Sequence, residues 1–135
     1  MLNHIFTDLN LFFMQFTSNQ KYADNLILKE TFEFAVAIVL FAEKLEEKRK
    51  FVLANQILKS GTSIGANAKE AQNAESNADF IHKMKIALKE ADETEYWLFL
   101  CQAIEGYPKC DQELLKLNGI LKILNKIISS SKRKK

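Results

Sequence analysis

Two histidines, two cysteines and seventeen carboxylates set the limits on metal and acid–base chemistry in this chain of 135 residues. A di-metal centre inside a helical bundle draws on two Glu-x-x-His pairs and two further glutamates. Here His4 stands near the start, and His82 closes a single Asp-Phe-Ile-His run, so there is no second pair. Cys101 and Cys110 form no Cys-x-x-Cys pair and have no histidine at zinc-like spacing. No metal or cofactor is expected. Ser60 and Ser63 have no nearby histidine, and nothing around them reads as the strand-to-helix elbow that exposes a nucleophilic serine. SGTSIGAN, residues 60–67, matches neither GxxxxGK nor GxGxxG. These residues read as those of a non-enzyme.

Two other groupings carry chemistry of a different kind. Gln56, Ser60, Ser63, Asn67 and Glu70 recur at steps of four and three, as do Ile86, Glu90, Glu93, Trp97 and Leu100. Ser60, Ser63, Asn67, Glu70, Glu90, Glu93 and Trp97 are expected to form a structural polar network, because a buried carboxylate must be paired or hydrogen-bonded. Such a network either fixes the helix pairing or binds a ligand within an assembly. The second grouping is basic. Residues 109–135 hold Lys109, Lys116, Lys122, Lys126, Lys132, Arg133, Lys134 and Lys135 against Asp111 and Glu113, a net of +6. The other 108 residues carry −4. A concentrated positive segment answers phosphate backbones without reading bases, and no RNA- or DNA-reading motif accompanies it.

The elements that position these residues read as helices. Each stripe runs beside an apolar seam at the same spacing: Ile57, Gly61, Ile64, Ala68, Ala71, and Phe80, Met84, Ala87, Ala91, Thr94, Leu98, Cys101. The first seam passes through both glycines in phase, so residues from about Lys50 to Ala74 are read as one helix, with Gly61 and Gly65 permitting close approach of another. Ser76 with Asp79 has capping-box spacing for the next, which runs to about Ala103. Gly106-Tyr107-Pro108 is a turn, and Asp111 is expected to cap a last helix with Leu114, Leu117, Leu121, Leu124 and Ile128 on its seam. Asp24 or Asn25 caps the first long helix, expected to reach about Arg49. That helix is apolar nearly all round (Phe32, Phe34, Ala35, Val36, Ile38, Val39, Phe41), which implies a subunit interface. The longest apolar run, Phe34–Ala42, is too short to span a bilayer.

The chain therefore divides into an N-terminal extension (1–23), a helical domain (24–130) and a frayed basic tail (131–135). In the extension Ile5, Leu9, Phe12, Phe13 and Phe16 fit one helical face. It reads either as an extra docked helix or as upstream sequence before a start at Met14. It has neither the basic opening nor the cleavage site of a signal peptide. With no cysteine pairing pattern, a reducing cytoplasm is expected.

SGTSIGANAKEA followed by DFIHKMKIALKEADETEYWL resembles the 23S rRNA intervening-sequence proteins, a bacterial four-helix-bundle family to which the accessory variability proteins of diversity-generating retroelements are also similar. The likeness covers roughly Asn25 to Ile128. It implies an all-α, antiparallel up-and-down four-helix bundle that assembles as a homo-oligomeric ring, a pentamer in known members, without enzyme activity. In the retroelement branch it implies RNA or DNA and a reverse-transcriptase-like protein as partners. Lys59 stands where this family usually carries arginine; lysine keeps the charge and loses the planar fork.

Two functions follow. One is a nucleic-acid-binding oligomeric scaffold acting through Lys59, Lys116, Lys122, Lys126, Lys132, Arg133, Lys134 and Lys135. The alternative is a structural or protein-interaction scaffold without nucleic-acid binding.

Overall fold

The computed structural model describes residues 25–134. The expected division at residue 23, and the alternatives for the N-terminal extension, lie outside the described residues.

Four helices account for most of the described chain: α1 Leu26–Glu47, α2 Phe51–Ala71, α3 Asn77–Ala103 and α4 Asp111–Arg133. No strand occurs among the described residues. Asn25 caps α1, its side-chain oxygen accepting from Leu28 N. The turn to α2 passes through Arg49 in the left-handed region, φ 61°, and α1 stops short of it. Ser76 caps α3, accepting from Asp79 N at 3.0 Å. Asp79 accepts in return from Glu75 N. Asp111 does not cap α4. It is the first helical residue, and its carboxylate accepts from Gln102 Nε2 at 2.6 Å, so the preceding turn is tied to α3 instead. The same Gln102 accepts from Cys110 N.

The four helices run alternately up and down, each packed on its two neighbours in the order α1, α2, α3, α4 and back to α1. The antiparallel register is visible in paired contacts. A Cβ on Gly61 would meet Ile38, and one on Gly65 would meet Thr31. Ser60 lies against Thr94, and Glu70 against Lys83. One end of the bundle therefore gathers the starts of α1 and α3 with the ends of α2 and α4. The other end holds the α1–α2 and α3–α4 turns.

SGTSIG is helical throughout. Gly61 is the closest crossing: a Cβ there would stand 2.7 Å from Ile38 Cγ2, inside any ordinary contact distance. Along α2 all five seam positions are buried. Along α3, Met84, Ala87, Ala91, Thr94, Leu98 and Cys101 are buried, and Phe80 packs against the core from a half-buried position. On α4 the core stripe is Leu117, Ile120, Leu124, Ile128 and Ser131. Leu114 and Leu121 flank it. Burying the large side chains of this core stabilises the bundle by roughly 1.5–3 kcal/mol each.

The single chain does not bury the whole apolar surface of α1. Phe34, Ile38, Phe41, Ala42 and Leu45 are buried, while Val39 and Leu40 keep 39% and 40% of their surface. Phe51, Val52, Tyr96, Phe99 and Leu115 are also exposed. No described helix is long and apolar enough to cross a membrane.

Candidate nucleic-acid interface

The basic residues of α4 owe their placement to the way that helix ends. A helix leaves its last four carbonyls without intrahelical donors. Here Asn77, the first residue of α3, donates from Nδ2 to Ser131 O at 2.9 Å and to Lys134 O at 3.1 Å. Ser131 is buried against this contact. The end is therefore not frayed: Lys132 and Arg133 belong to α4, and Lys134 is its C-cap. Lys135 lies outside the described residues. Cations in the last turn also suit the negative end of a helix dipole.

Lys122, Lys126 and Arg133 follow one another at steps of four and seven, so they share one stripe of α4. They span about 16 Å along its axis. Lys132 and Lys134 extend the positive surface beyond the stripe. All five are exposed, and none forms an ion pair among the described residues. Lys126 and Lys134 also flank a groove of about 550 Å³ between the start of α1, the start of α3 and the end of α4. Leu26, Phe80, Ile123 and Ile127 give it an apolar lining.

Other helices add cations at the same end. Lys29 on α1, Lys69 on α2 and Lys85 on α3 are exposed there, a convergence that becomes visible only once the helices are paired. At the opposite end three lysines are engaged locally, while Lys44 and Arg49 are exposed. Lys48 Nζ donates to Gly106 O, Lys50 Nζ stands 4.9 Å from the Tyr107 ring centre, and Lys109 Nζ donates to the carbonyls of Gln102 and Ile104.

Two expected members do not join this surface. Lys116 is half-buried and donates to Glu30 Oε2 at 2.9 Å and Glu33 Oε2 at 3.0 Å, both on α1. Burial pushes its ammonium down, but the hydrogen bonds and charges of the two glutamates outweigh that and hold it above the usual lysine range. It ties α4 to α1. Lys59 is exposed on α2, diagonally across the bundle from α4. Its charge acts instead on Glu90.

The polar stripes make fewer cross-helix bonds than their spacing suggests. Ser60 donates to Gln56 O, Ser63 to Lys59 O, and Asn67 to Ser63 O, all within α2. Glu93 is exposed and accepts from Trp97 Nε1 one turn later. Among the described residues, α2 and α3 are linked by Thr94 Oγ1 with Ser60 Oγ at 2.9 Å in the core and by Lys83 with Glu70 at 3.5 Å on the surface. Thr94, read from sequence as an apolar seam position, is thus the buried polar hinge of the pair. Its 4–3 spacing placed it correctly; only the hydroxyl pointed to this role. Burial raises the Glu90 carboxyl above its usual range, Glu93 raises it further, and Lys59 partly opposes both.

Among the described residues no group of three or more His, Cys, Asp or Glu side chains is placed to hold a metal. The two thiols are buried; Cys110 donates to Leu98 O, and burial, then the nearby Cys101, Glu113 and Asp111, pushes it up to about 12.

No curated protein matches the chain. Among solved structures, it resembles a crystal structure of a protein of unknown function from the S23 ribosomal protein family of Bacteroides thetaiotaomicron. The two are 47% identical with a TM-score of 0.72, over 76% of this chain and 97% of that one. Residues 23–130 match the family model described as 23S rRNA-intervening sequence protein. Over four-fifths of its length, then, in the seams, the close glycine crossing and the paired helices alike, the chain belongs to the 23S rRNA-intervening sequence protein family.

Proposed function

We propose that this protein is a non-enzymatic scaffold that binds nucleic acid through phosphates, working as a homo-oligomer. The observation that carries the reading is the unpaired stripe Lys122, Lys126 and Arg133, with Lys132 and Lys134 beside it, on a helix end held in place by Asn77. Its length of about 16 Å matches the axial rise of roughly five nucleotides of one strand. Rigid presentation favours binding because less side-chain and backbone freedom is lost on contact. The family description names 23S rRNA, which makes structured RNA the first ligand to try. Assembly into a ring would multiply the surface and raise its effective concentration on a long polymer.

The test is a salt titration of binding to generic RNA and DNA. Affinity should fall with a log–log slope of about −0.7 per single-strand phosphate contacted and about −0.9 per duplex phosphate. The variant Lys122→Ala/Lys126→Ala/Arg133→Ala should flatten that slope by about three contacts per subunit engaged, while Lys59→Ala and Lys116→Ala leave it unchanged. No measurable affinity for RNA or DNA at low salt would overturn the reading.

A second reading rests on a different surface. Val39, Leu40, Phe51, Val52, Tyr96, Phe99 and Leu115 lie exposed in the half of the bundle near the two turns. Large exposed apolar residues mark protein contacts where they gather. This half would hold neighbouring subunits, or a protein partner if nucleic acid does not bind. Sedimentation at micromolar concentration tests the first of these: a species several times the 15.5 kDa chain is expected, and a clean monomer would leave the protein-partner scaffold as the better account.

A further inference from the structure

The groove beside the end of α4, about 550 Å³, falls within the size range of small-molecule clefts. Leu26, Phe80, Ile123 and Ile127 give it an apolar floor drawn from three helices. The floor is open to solvent: Leu26 keeps 55% of its surface, and Phe80, Ile123 and Ile127 are half-buried. The rim is of a different kind. Lys126 and Lys134 are exposed on it, eight positions and about 12 Å apart along α4. Ser130 adds a hydroxyl, and the described lining includes no carboxylate.

An apolar floor beneath two cations suits a ligand with an apolar body joined to an anion. Lys126 narrows the choice. It stands both on the groove rim and in the stripe it shares with Lys122 and Arg133. A strand laid along that stripe therefore carries a nucleotide to the mouth of the groove. In a duplex the faces of the bases are stacked away and cannot enter. In a single strand, a loop or a bulge a base can leave the stack, and its faces then settle on aromatic and apolar side chains. Among the described lining residues the aromatic ring is that of Phe80.

Building on the phosphate reading above, we propose that this groove takes an unstacked base, seated against Phe80, Ile123 and Ile127, while Lys126 and Lys134 hold the phosphates on either side of it. The ligand class is then single-stranded nucleic acid, or the loops and bulges of a folded RNA, in preference to a continuous duplex. Every base has a π-face, so the contact adds affinity without reading sequence.

The test changes the ligand before it changes the protein. A natural single strand and an abasic strand of equal length carry the same phosphates, so a surface that answers charge alone binds them equally. The full chain should bind the natural strand about fivefold or more tighter, the contribution of one stacked base. Phe80→Leu keeps an apolar side chain but removes the ring, and it should narrow that gap. Lys122→Ala should weaken both strands alike. A Ser130→Cys thiol on the rim reads the groove directly, because Cys101 and Cys110 are buried. Its reaction with a maleimide should slow when the natural strand is bound, and far less at equal occupancy of the abasic strand. Equal affinity for the two strands, with the salt dependence intact, would overturn the base site and leave the phosphate surface standing. No affinity for either strand at low salt would overturn both. Labelling that slows on raising the protein concentration alone would also overturn the base site, because the occupant would then be a second copy.

Discussion

Replacing Gly61 with alanine isolates the closest helix crossing in the bundle. In an exposed helix interior, Gly→Ala stabilises by about 1 kcal/mol. At Gly61 the new Cβ would stand 2.7 Å from Ile38 Cγ2, 3.0 Å from Cγ1 and 3.3 Å from Cβ. Ile38 is fully buried, and a β-branched side chain in a helix has one strongly preferred χ1. It cannot swing aside, so α1 and α2 must separate or strain. Overpacking of this kind costs about 1–3 kcal/mol. Set against the propensity gain, the variant should lose between about 0 and 2 kcal/mol. Gly119 on α4 is the internal control, because nothing lies within 4 Å of a Cβ placed there; Gly119→Ala should gain the full propensity difference of about 1 kcal/mol. Gly65→Ala should fall between them, with Thr31 Oγ1 at 3.1 Å. Urea melts of the three variants rank them directly. Pairing Gly61→Ala with Ile38→Leu removes the Cγ2 branch and should recover part of the loss, a coupling that only contacting residues show. If Gly61→Ala stabilises as much as Gly119→Ala, the crossing is not as close as described and the explanation for the glycine fails.

Glu90 gives a pH-dependent outcome. Burial and Glu93 raise its carboxyl above the ordinary 4.5, with Lys59 partly opposing. The folded chain therefore holds that proton more tightly than the unfolded one. The associated stability is fully present below pH 4.5 and is lost as pH rises through the shifted value. Glu90→Gln should melt at or above the parent at pH 7, with the gap closing below pH 4.5; a lower melting temperature at pH 7 would show that the carboxylate is needed ionised. Asn77→Ala should free the last turn of α4, costing about 0.5–1.5 kcal/mol because Asn77 is exposed and water can reach the freed carbonyls. Hydrogen exchange should speed at residues 131–134 and hardly change at the α1–α2 crossing, whereas a uniform change would mean that Asn77 supports the whole bundle.

The helix pairing was legible because a 4–3 alternation fixes which residues share a face, whatever lies opposite. That is why Ile57 to Ala71 and Met84 to Cys101 are buried as their spacing requires. On α4 the leucines at 114 and 121 looked like seam positions, yet Ile120 is in the core. Adjacent apolar residues are only about 100° apart on a helix, and nothing local decides between them. Side-chain partners were the least legible. The glutamates that hold Lys116 are more than eighty positions away, and Asn77 is 54 residues from the carbonyl of Ser131. Sequence counted charges correctly but could not tell an engaged lysine from an open one. It also placed Ser63 and Asn67 in a polar network with the stripe of α3, when short polar side chains in a helix readily bond back to the preceding turn, as both do here.

The unequal ends of this bundle bear on how it would meet a polyanion. Each end collects two helix starts and two helix ends, so the backbone macrodipoles oppose one another in pairs. What field remains comes from side chains: the exposed Lys122, Lys126, Lys132, Arg133 and Lys134 gather where α1 and α3 begin, while Lys48 and Lys109 beside the turns donate to nearby carbonyls. A body charged in this lopsided way would feel a torque near a line of phosphates and would be turned basic end first before any contact formed. Orientation is the step that slows most associations between macromolecules. Pre-alignment would act on the rate of arrival far more than on the rate of departure, and it would fade once the screening length, about 8 Å at physiological salt, became short beside the molecule.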